Sequence, residues 1–221
     1  MWAIVPVKTF DRAKQRLANV LSEAERRSLM LAMARDVLTC LSKCTQLSGI
    51  LIVSRASEAD ALAQTFNTER FNESPECNLA EALEQATRYL VDHFNAQGVI
   101  VVPADVPCIE PAELDGLIAA HTDITIIPDA DNIGTNALIV SPPLRIPYIF
   151  DGQSLKPHTD AAYAAGIAPR IVPGTRFALD IDLPQDLLAV CEHATETQTA
   201  NYLMQHNIID RVQTAATTHS G

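Results

Sequence analysis

The chain has 221 residues, enough for one α/β domain with a substantial core. Hydrophobic residues make up 48% and charged residues 19%, a globular balance that excludes intrinsic disorder. The formal net charge of −11 argues against non-specific nucleic-acid or acidic-membrane binding, yet leaves room for a small anionic substrate in a cleft with its own cation. The five cysteines, Cys40, Cys44, Cys77, Cys108 and Cys191, are odd in number and unpaired in spacing, against both a disulfide framework and a zinc site. The N-terminus lacks a signal-peptide layout and no apolar run approaches membrane-spanning length, so a cytoplasmic enzyme or binding protein is expected.

Trp2 to Val7 reads as a first strand, followed by a basic cluster of Lys8, Arg12, Lys14 and Arg16. Ser22-Glu23-Ala24-Glu25 fits a capping box, and Leu29, Met33, Val37, Leu41 and Cys44 fall on one stripe of a helix over about 23–43. Gly49 to Ser54 is a second strand and 56–66 a helix; 67–77 is loop with room for a short strand. Asn78 is the expected N-cap of the next helix, with Gly98 shortly past its end. Val99 to Val102 is a β-branched run suited to a strand buried on both faces. A helix over 111–121 starts with Pro111 in its first turn.

Strands at 123–127 and 137–140 flank a polar loop and form a hairpin-like pair that would make the sheet mixed. A prolyl loop at 142–147 leads to a helix after Ser154 that ends near Gly166. A short strand at 170–172, a further strand from Phe177 running into an Asp-rich turn, a helix carrying Leu187, Val190 and Cys191, and a last helix over about 195–206 complete the chain, with 212–221 expected as a loose tail after a single domain of 1–211. Strands alternating with helices predict one three-layer α/β/α domain with a mostly parallel mixed sheet.

Three groups carry candidate chemistry. Asp105 follows the 99–102 strand, where ligands of open α/β sheets bind, and its apolar neighbours leave it in want of a cation; capping the helix near Pro111 is the alternative. Asp180 ends another strand, and two carboxylates from different strand ends make a hard-oxygen site for Mg²⁺. Asp182, followed by Leu183-Pro184, reads as a helix N-cap. The basic cluster sits at the ligand-binding end of the sheet, where Lys8, Lys14 and Arg16 would neutralise a triphosphate; alone, it equally describes a solvated loop. Gly134-Thr135-Asn136, with Ser154 downstream, offers short hydroxyl and amide groups to a carboxylate or phosphate, or is plain turn chemistry. Asn78 either caps its helix or contacts a nucleoside, and His158, a turn after Ser154, is the one histidine placed to matter.

Taken together these stretches resemble the 2-phospho-L-lactate guanylyltransferase family of coenzyme F-420 biosynthesis, which includes phosphoenolpyruvate and 3-phospho-D-glycerate guanylyltransferases. The resemblance runs from Pro6 to about Leu188 and is carried by Pro6-Val7-Lys8, Ala13-Lys14-Gln15-Arg16-Leu17, Asn78-Leu79, Ala104-Asp105-Val106-Pro107, Gly134-Thr135-Asn136-Ala137-Leu138, Phe150 with Ser154 and His158, and Asp180-Ile181-Asp182-Leu183-Pro184. It implies a nucleotide-diphospho-sugar transferase-like fold, GTP and a small phospho-acid as substrates, Mg²⁺ and a homodimer. By residue, it implies Asp105 and Asp180 on the metal, Lys8, Lys14 and Arg16 on the triphosphate, Asn78 on the nucleoside, and Thr135 and Ser154 on the acid.

One departure is visible: Asp151 stands where the family has glycine, with Gly152 next. A carboxylate there would repel an acid substrate unless it is turned away or hydrogen-bonded, so Asp151 is expected to influence acceptor choice. Two alternatives share parts of this pattern. A molybdopterin-type nucleotidyltransferase would need a glycine-rich opening loop that is missing here, and a non-catalytic nucleotide-binding module would release no pyrophosphate.

Overall fold

A computed structural model describes residues 1–7 and 14–218, with side chains described as far as Thr214. Lys8 and Arg12 lie outside the described residues. Seven strands form one sheet in the order β3-β2-β1-β4-β6-β5-β7: β1 (Trp2–Pro6), β2 (Gly49–Ser54), β3 (Glu69–Asn72), β4 (Val99–Val101), β5 (Ile124–Pro128), β6 (Thr135–Val140) and β7 (Arg170–Ile171). β1, β2, β3 and β4 are mutually parallel; β6 is antiparallel to both β4 and β5, so the hairpin does make the sheet mixed.

Successive strand residues face opposite layers, which is why continuous apolar runs were needed. Ala3, Val5, Ile50, Ile52, Ile100 and Val102 enter one core; Ile4, Leu51, Val53, Val99 and Val101 enter the other. The first core is closed by α1 (Glu23–Lys43), α2 (Glu58–Phe66), α4 (Pro111–Ala119), α6 (Pro184–His193), α7 (Gln198–Gln205) and α8 (Ile208–Thr218). The second is closed by α3 (Leu79–Phe94) and α5 (Leu155–Ala164).

The helix starts follow their capping chemistry. Ser22 and Glu25 form the expected capping box on α1, and Asn78 and Glu81 form another on α3. The C-terminus differs from expectation. Residues 212–218 belong to α8, and Val212 is buried against the first core, which gives that segment a reason to stay helical that its small polar composition concealed.

The chain order creates the site. From β1 the sheet grows outward through β2 to β3, then α3 carries the chain back to β4 on the other side of β1. The strand order reverses between β1 and β4, and a crevice opens beyond their carboxyl ends.

Candidate active site

A cleft of about 650 Å³ fills that crevice. Pro6 and Val101 form its floor, and the segments after β4, around β6, before α5 and before α6 form its walls. Asp105, Asp180, Asp182, Arg16, Thr135 and Ser154 all line it. The two carboxylates expected to share a site therefore face the same space.

Lys14 ties the acidic wall together. Its ammonium donates to Asp105 Oδ2 and to Asp182 Oδ1, each at 2.7 Å. The side chain is only 8% exposed. Its backbone is left-handed (φ 51°) at the head of a 3-10 turn, Gln15–Leu17, anchored by the buried Leu17. Burial on its own would lower the Lys14 pKa; the two carboxylates outweigh it, and the net shift is upward. Lys14 is a fixed cation here. Arg16 is more exposed and stands 3.6 Å from Asp182.

Asp182 departs from the capping role read from its Leu-Pro context. The N-cap of α6 is Leu183, and Asp186 reaches back to accept the amides of Asp182 and Leu183. The Asp182 carboxylate is thereby released toward Lys14. The strand expected to end at Asp180 does not form: Arg176–Ala178 is a 3-10 turn and 179–182 is irregular, with the buried Ile181 between Asp180 and Asp182. The Ile181 amide donates to the Asp105 carbonyl at 3.0 Å, which docks this segment beside the β4 end.

Asp180 is held by Asn136, whose amide nitrogen donates to Asp180 Oδ1 at 3.0 Å and to the Phe177 carbonyl at 2.8 Å. Burial raises the Asp180 pKa to about 6; the Asn136 bond opposes the rise, and the neighbouring charges of Asp105 and Asp182 add to it. Three acidic groups against one buried lysine leave the wall short of positive charge. Among the described residues no three His, Cys, Asp or Glu side chains form a ready-made metal cage. Mg²⁺ commonly takes one or two carboxylates and completes its shell with water and substrate phosphate, so a pair such as Asp105 and Asp180 fits its chemistry.

Another wall, built around β6 and before α5, carries two hydroxyls, and Asp129 and Asp131 also line the cleft. Thr135 opens β6 and Ser154 precedes α5; both are buried and both line the cleft. Thr135 Oγ1 lies 3.0 Å from His158 Nδ1, and the Ile149 amide donates to His158 Nε2 at 3.0 Å. Burial pushes His158 down to about 4, so the ring is neutral near neutral pH. Above this wall the 129–134 loop is folded around Asp129, which accepts the amides of Ile133 and Gly134 at 2.9 and 2.8 Å. A Cβ at Gly134 would sit 2.7 Å from Asp129 Oδ2, which accounts for the glycine.

Two expected binding residues stand differently. Asn78 commits its side-chain oxygen to the Glu81 amide at 3.0 Å, and it is Leu79 that lines the cleft. Asp151 turns out of the cleft: its carboxylate accepts the Gln153 amide at 3.0 Å, and Gly152, with φ 85°, takes the lining position. Turned and bonded in this way, Asp151 meets the condition under which a carboxylate there would not face an acid in the cleft. Asp129 was not singled out from the sequence at all. Its role depends on a loop conformation that pairs residues four and five apart, which a turn-rich composition does not specify.

A mixed α/β sheet with a carboxylate-lined cleft at its switch point defines the class: the nucleotidyltransferases of the nucleotide-diphospho-sugar transferase-like fold. Solved structures agree on the fold. A Desulfovibrio desulfuricans G20 protein assigned as a nucleotide-diphospho-sugar transferase superposes with a TM-score of 0.77 at 16% identity, covering 96% of this chain and 97% of that one. A nucleotidyl transferase from Methanothermobacter thermautotrophicus gives 0.65 at 17% identity, covering 87% and 96%. The chain belongs to the family described as guanylyl transferase CofC like, whose model matches residues 1–219. Similar sequences include the 2-phospho-L-lactate guanylyltransferase of Methanobrevibacter smithii, 33% identical with 94% of this chain and 91% of the relative covered. The phosphoenolpyruvate guanylyltransferase of Roseiflexus sp. (strain RS-1) is 35% identical, with 88% and 86% covered. The protein is thus a guanylyltransferase-family enzyme. No helix among the described residues is long and apolar enough to cross a membrane.

Proposed function

We propose that this enzyme transfers GMP from GTP to the phosphate of a small phospho-acid, as a cytoplasmic homodimer in coenzyme F-420 biosynthesis. The acceptor is 2-phospho-L-lactate, phosphoenolpyruvate or 3-phospho-D-glycerate. The first two are the substrates named for the relatives, and the third follows from the sequence resemblance. An oxygen of the acceptor phosphate attacks the α-phosphorus of GTP, the bond to the bridging α–β oxygen breaks, and pyrophosphate leaves with that electron pair. A new diphosphate bond joins the acid to GMP.

The chemistry asks for positioning and charge neutralisation more than for covalent participation. Asp105 and Asp180 would hold Mg²⁺, which supplies Lewis-acid stabilisation of the phosphate charge. Lys14, together with Arg16 and Lys8, would offset charge growing on the departing pyrophosphate. Thr135 and Ser154, with their buried hydroxyls, would hold the acid. Asn78 keeps its amide nitrogen for the nucleoside while its oxygen caps α3. Gly152 rather than Asp151 would sit against the acceptor, so its backbone meets the acid without a side chain between them.

The observation that supports this reading most is the convergence of Asp105 and Asp180, from distant parts of the chain, on one cleft, with Lys14 bonded to Asp105 behind it. The test is incubation with GTP, Mg²⁺ and each of the three acids, followed by mass analysis for the GDP-linked product and assay of pyrophosphate. Product with one or more acids is expected. Binding of GTP without pyrophosphate release would favour a non-catalytic module. Release only with a molybdopterin acceptor would move the protein to that branch of the fold.

A further inference from the structure

His158 sits in a hydrogen-bond chain whose direction can be worked out. A backbone N–H can only donate, so the Ile149 amide makes His158 Nε2 an acceptor. A neutral imidazole has one N–H, which must then be on Nδ1. Nδ1 faces Thr135 Oγ1 at 3.0 Å, so the ring donates and the threonine oxygen accepts. Thr135 has no second side-chain hydrogen bond among the described residues, and its own hydroxyl proton is left for the cleft that it lines.

The ring is held in place on its remaining sides. His158 is fully buried, it follows Ser154 by one helical turn with its amide on the Ser154 carbonyl at 2.9 Å, and Phe150 meets it edge-on with centroids 5.3 Å apart. A cationic ring would put an N–H on Nε2 against the Ile149 N–H, so this cage admits only the neutral form. The same histidine thus touches three parts of this wall: the start of β6, the 149–150 segment and the first turn of α5.

We infer that His158 is a positioning residue for acceptor binding: clamped by the Ile149 amide, it donates to Thr135 and turns the threonine hydroxyl outward as a hydrogen-bond donor to an anionic oxygen of the acid. This rests on the reading of the wall around Thr135 and Ser154 as the acceptor site. A threonine hydroxyl free to rotate presents either a lone pair or a proton to the ligand. With its oxygen already accepting from His158, it presents the proton, which is what a carboxylate or phosphate requires.

The amide of glutamine reaches the place of Nε2, and that of asparagine the place of Nδ1. His158→Gln therefore keeps an acceptor for Ile149 but loses the donor to Thr135, whereas His158→Asn keeps the donor. Steady-state kinetics with GTP and whichever of the three phospho-acids gives product should show the acid KM rising about tenfold in His158→Gln, with the GTP KM unchanged and a smaller rise in His158→Asn. Thr135→Val should raise the acid KM similarly, and the double variant should be no worse than Thr135→Val alone.

Multiplying effects in the double variant would overturn the role of His158 and leave the acceptor site standing. An unchanged acid KM in Thr135→Val, or no product with any of the three acids, would overturn both. Nitrogen-15 spectra of the imidazole, assigned by difference against His158→Gln, give a readout independent of turnover. Protonation at Nδ1 is expected, and protonation at Nε2 would refute the inference.

Discussion

Replacing Lys14 by methionine removes the cation from the acidic wall while keeping most of the side chain's apolar stem. In the parent, Lys14 makes two charge-assisted bonds of 2.7 Å from a side chain that is 8% exposed. The Asp105 side chain is 28% exposed and that of Asp182 is 47% exposed, so solvent screens the second partner more than the first. A hydrogen bond to a charged group contributes about 1.5–3 kcal/mol when sheltered, and a screened pair contributes less than about 1 kcal/mol. The desolvation of the ammonium opposes both, which leaves a net loss of roughly 2 kcal/mol in the variant.

For a domain of this size that corresponds to a fall in Tm of about 4–8 °C. The loss should be largest in metal-free buffer, because the buried lysine is then gone from Asp105 and the exposed Arg16 beside Asp182 is a weaker substitute. Differential scanning calorimetry of parent and variant, each with EDTA and with Mg²⁺, is the assay. Mg²⁺ should raise the Tm of Lys14→Met more than that of the parent, since a divalent cation replaces the missing charge. A variant that melts within about 1 °C of the parent in EDTA would show that the lysine bridge does not hold this wall in solution.

The wall around Thr135 and its loops can be tested in the same way. His158 is protonated at about 6.5 when unfolded and at about 4 when folded, so the unfolded chain binds the extra proton first. The stability it protects is complete above 6.5 and is lost as pH falls toward 4, by up to about 3 kcal/mol; urea titrations of His158→Gln should show a shallower acid slope, and identical slopes would contradict the burial argument. Gly134→Ala puts a methyl group 2.7 Å from Asp129 Oδ2 and should displace the 129–134 loop, lowering kcat/KM by roughly ten- to a hundredfold in a variant that still folds. Parent-like kinetics there would mean the loop does not shape the cleft. Asp151→Gly should alter the preference among the three acids by less than about threefold, because its exposed carboxylate is screened and bonded to Gln153; a larger change in a competition assay would put Asp151 back in the acceptor site.

Much of this architecture could be read from residue pattern. Val99 to Val102, flanked by Gly98 and Pro103, could only be a strand covered on both faces, and it became β4 at the centre of the sheet. Ser22 with Glu25, and Asn78 with Glu81, fixed two helix starts because capping is local chemistry. Asp105 at a strand end carried its own signal for the same reason: the position follows from the fold class.

What escaped was set by partners distant in the chain. Asp182 looked like a cap because Pro184 follows two residues later, but Asp186 satisfied the amides and left Asp182 to Lys14, 168 positions away. Asp151 looked like an intrusion into the cleft because its turn toward Gln153 depends on Gly152 adopting a positive φ. The helix at 208–218 was hidden because its polar composition gave no hint that Val212 would find a core to enter. In each instance the local sequence allowed two outcomes, and tertiary packing chose between them.

Asp105 and Asp180 are expected to take one divalent ion together with the nucleotide. Titration of Mn²⁺ into the protein with a non-hydrolysable GTP analogue, followed by electron paramagnetic resonance, measures this directly. The parent should bind the ion tightly only with the nucleotide present, and Asp105→Asn and Asp180→Asn should each weaken binding by about a hundredfold. Parent-like Mn²⁺ affinity in either variant would remove that carboxylate from the metal site and the central claim with it.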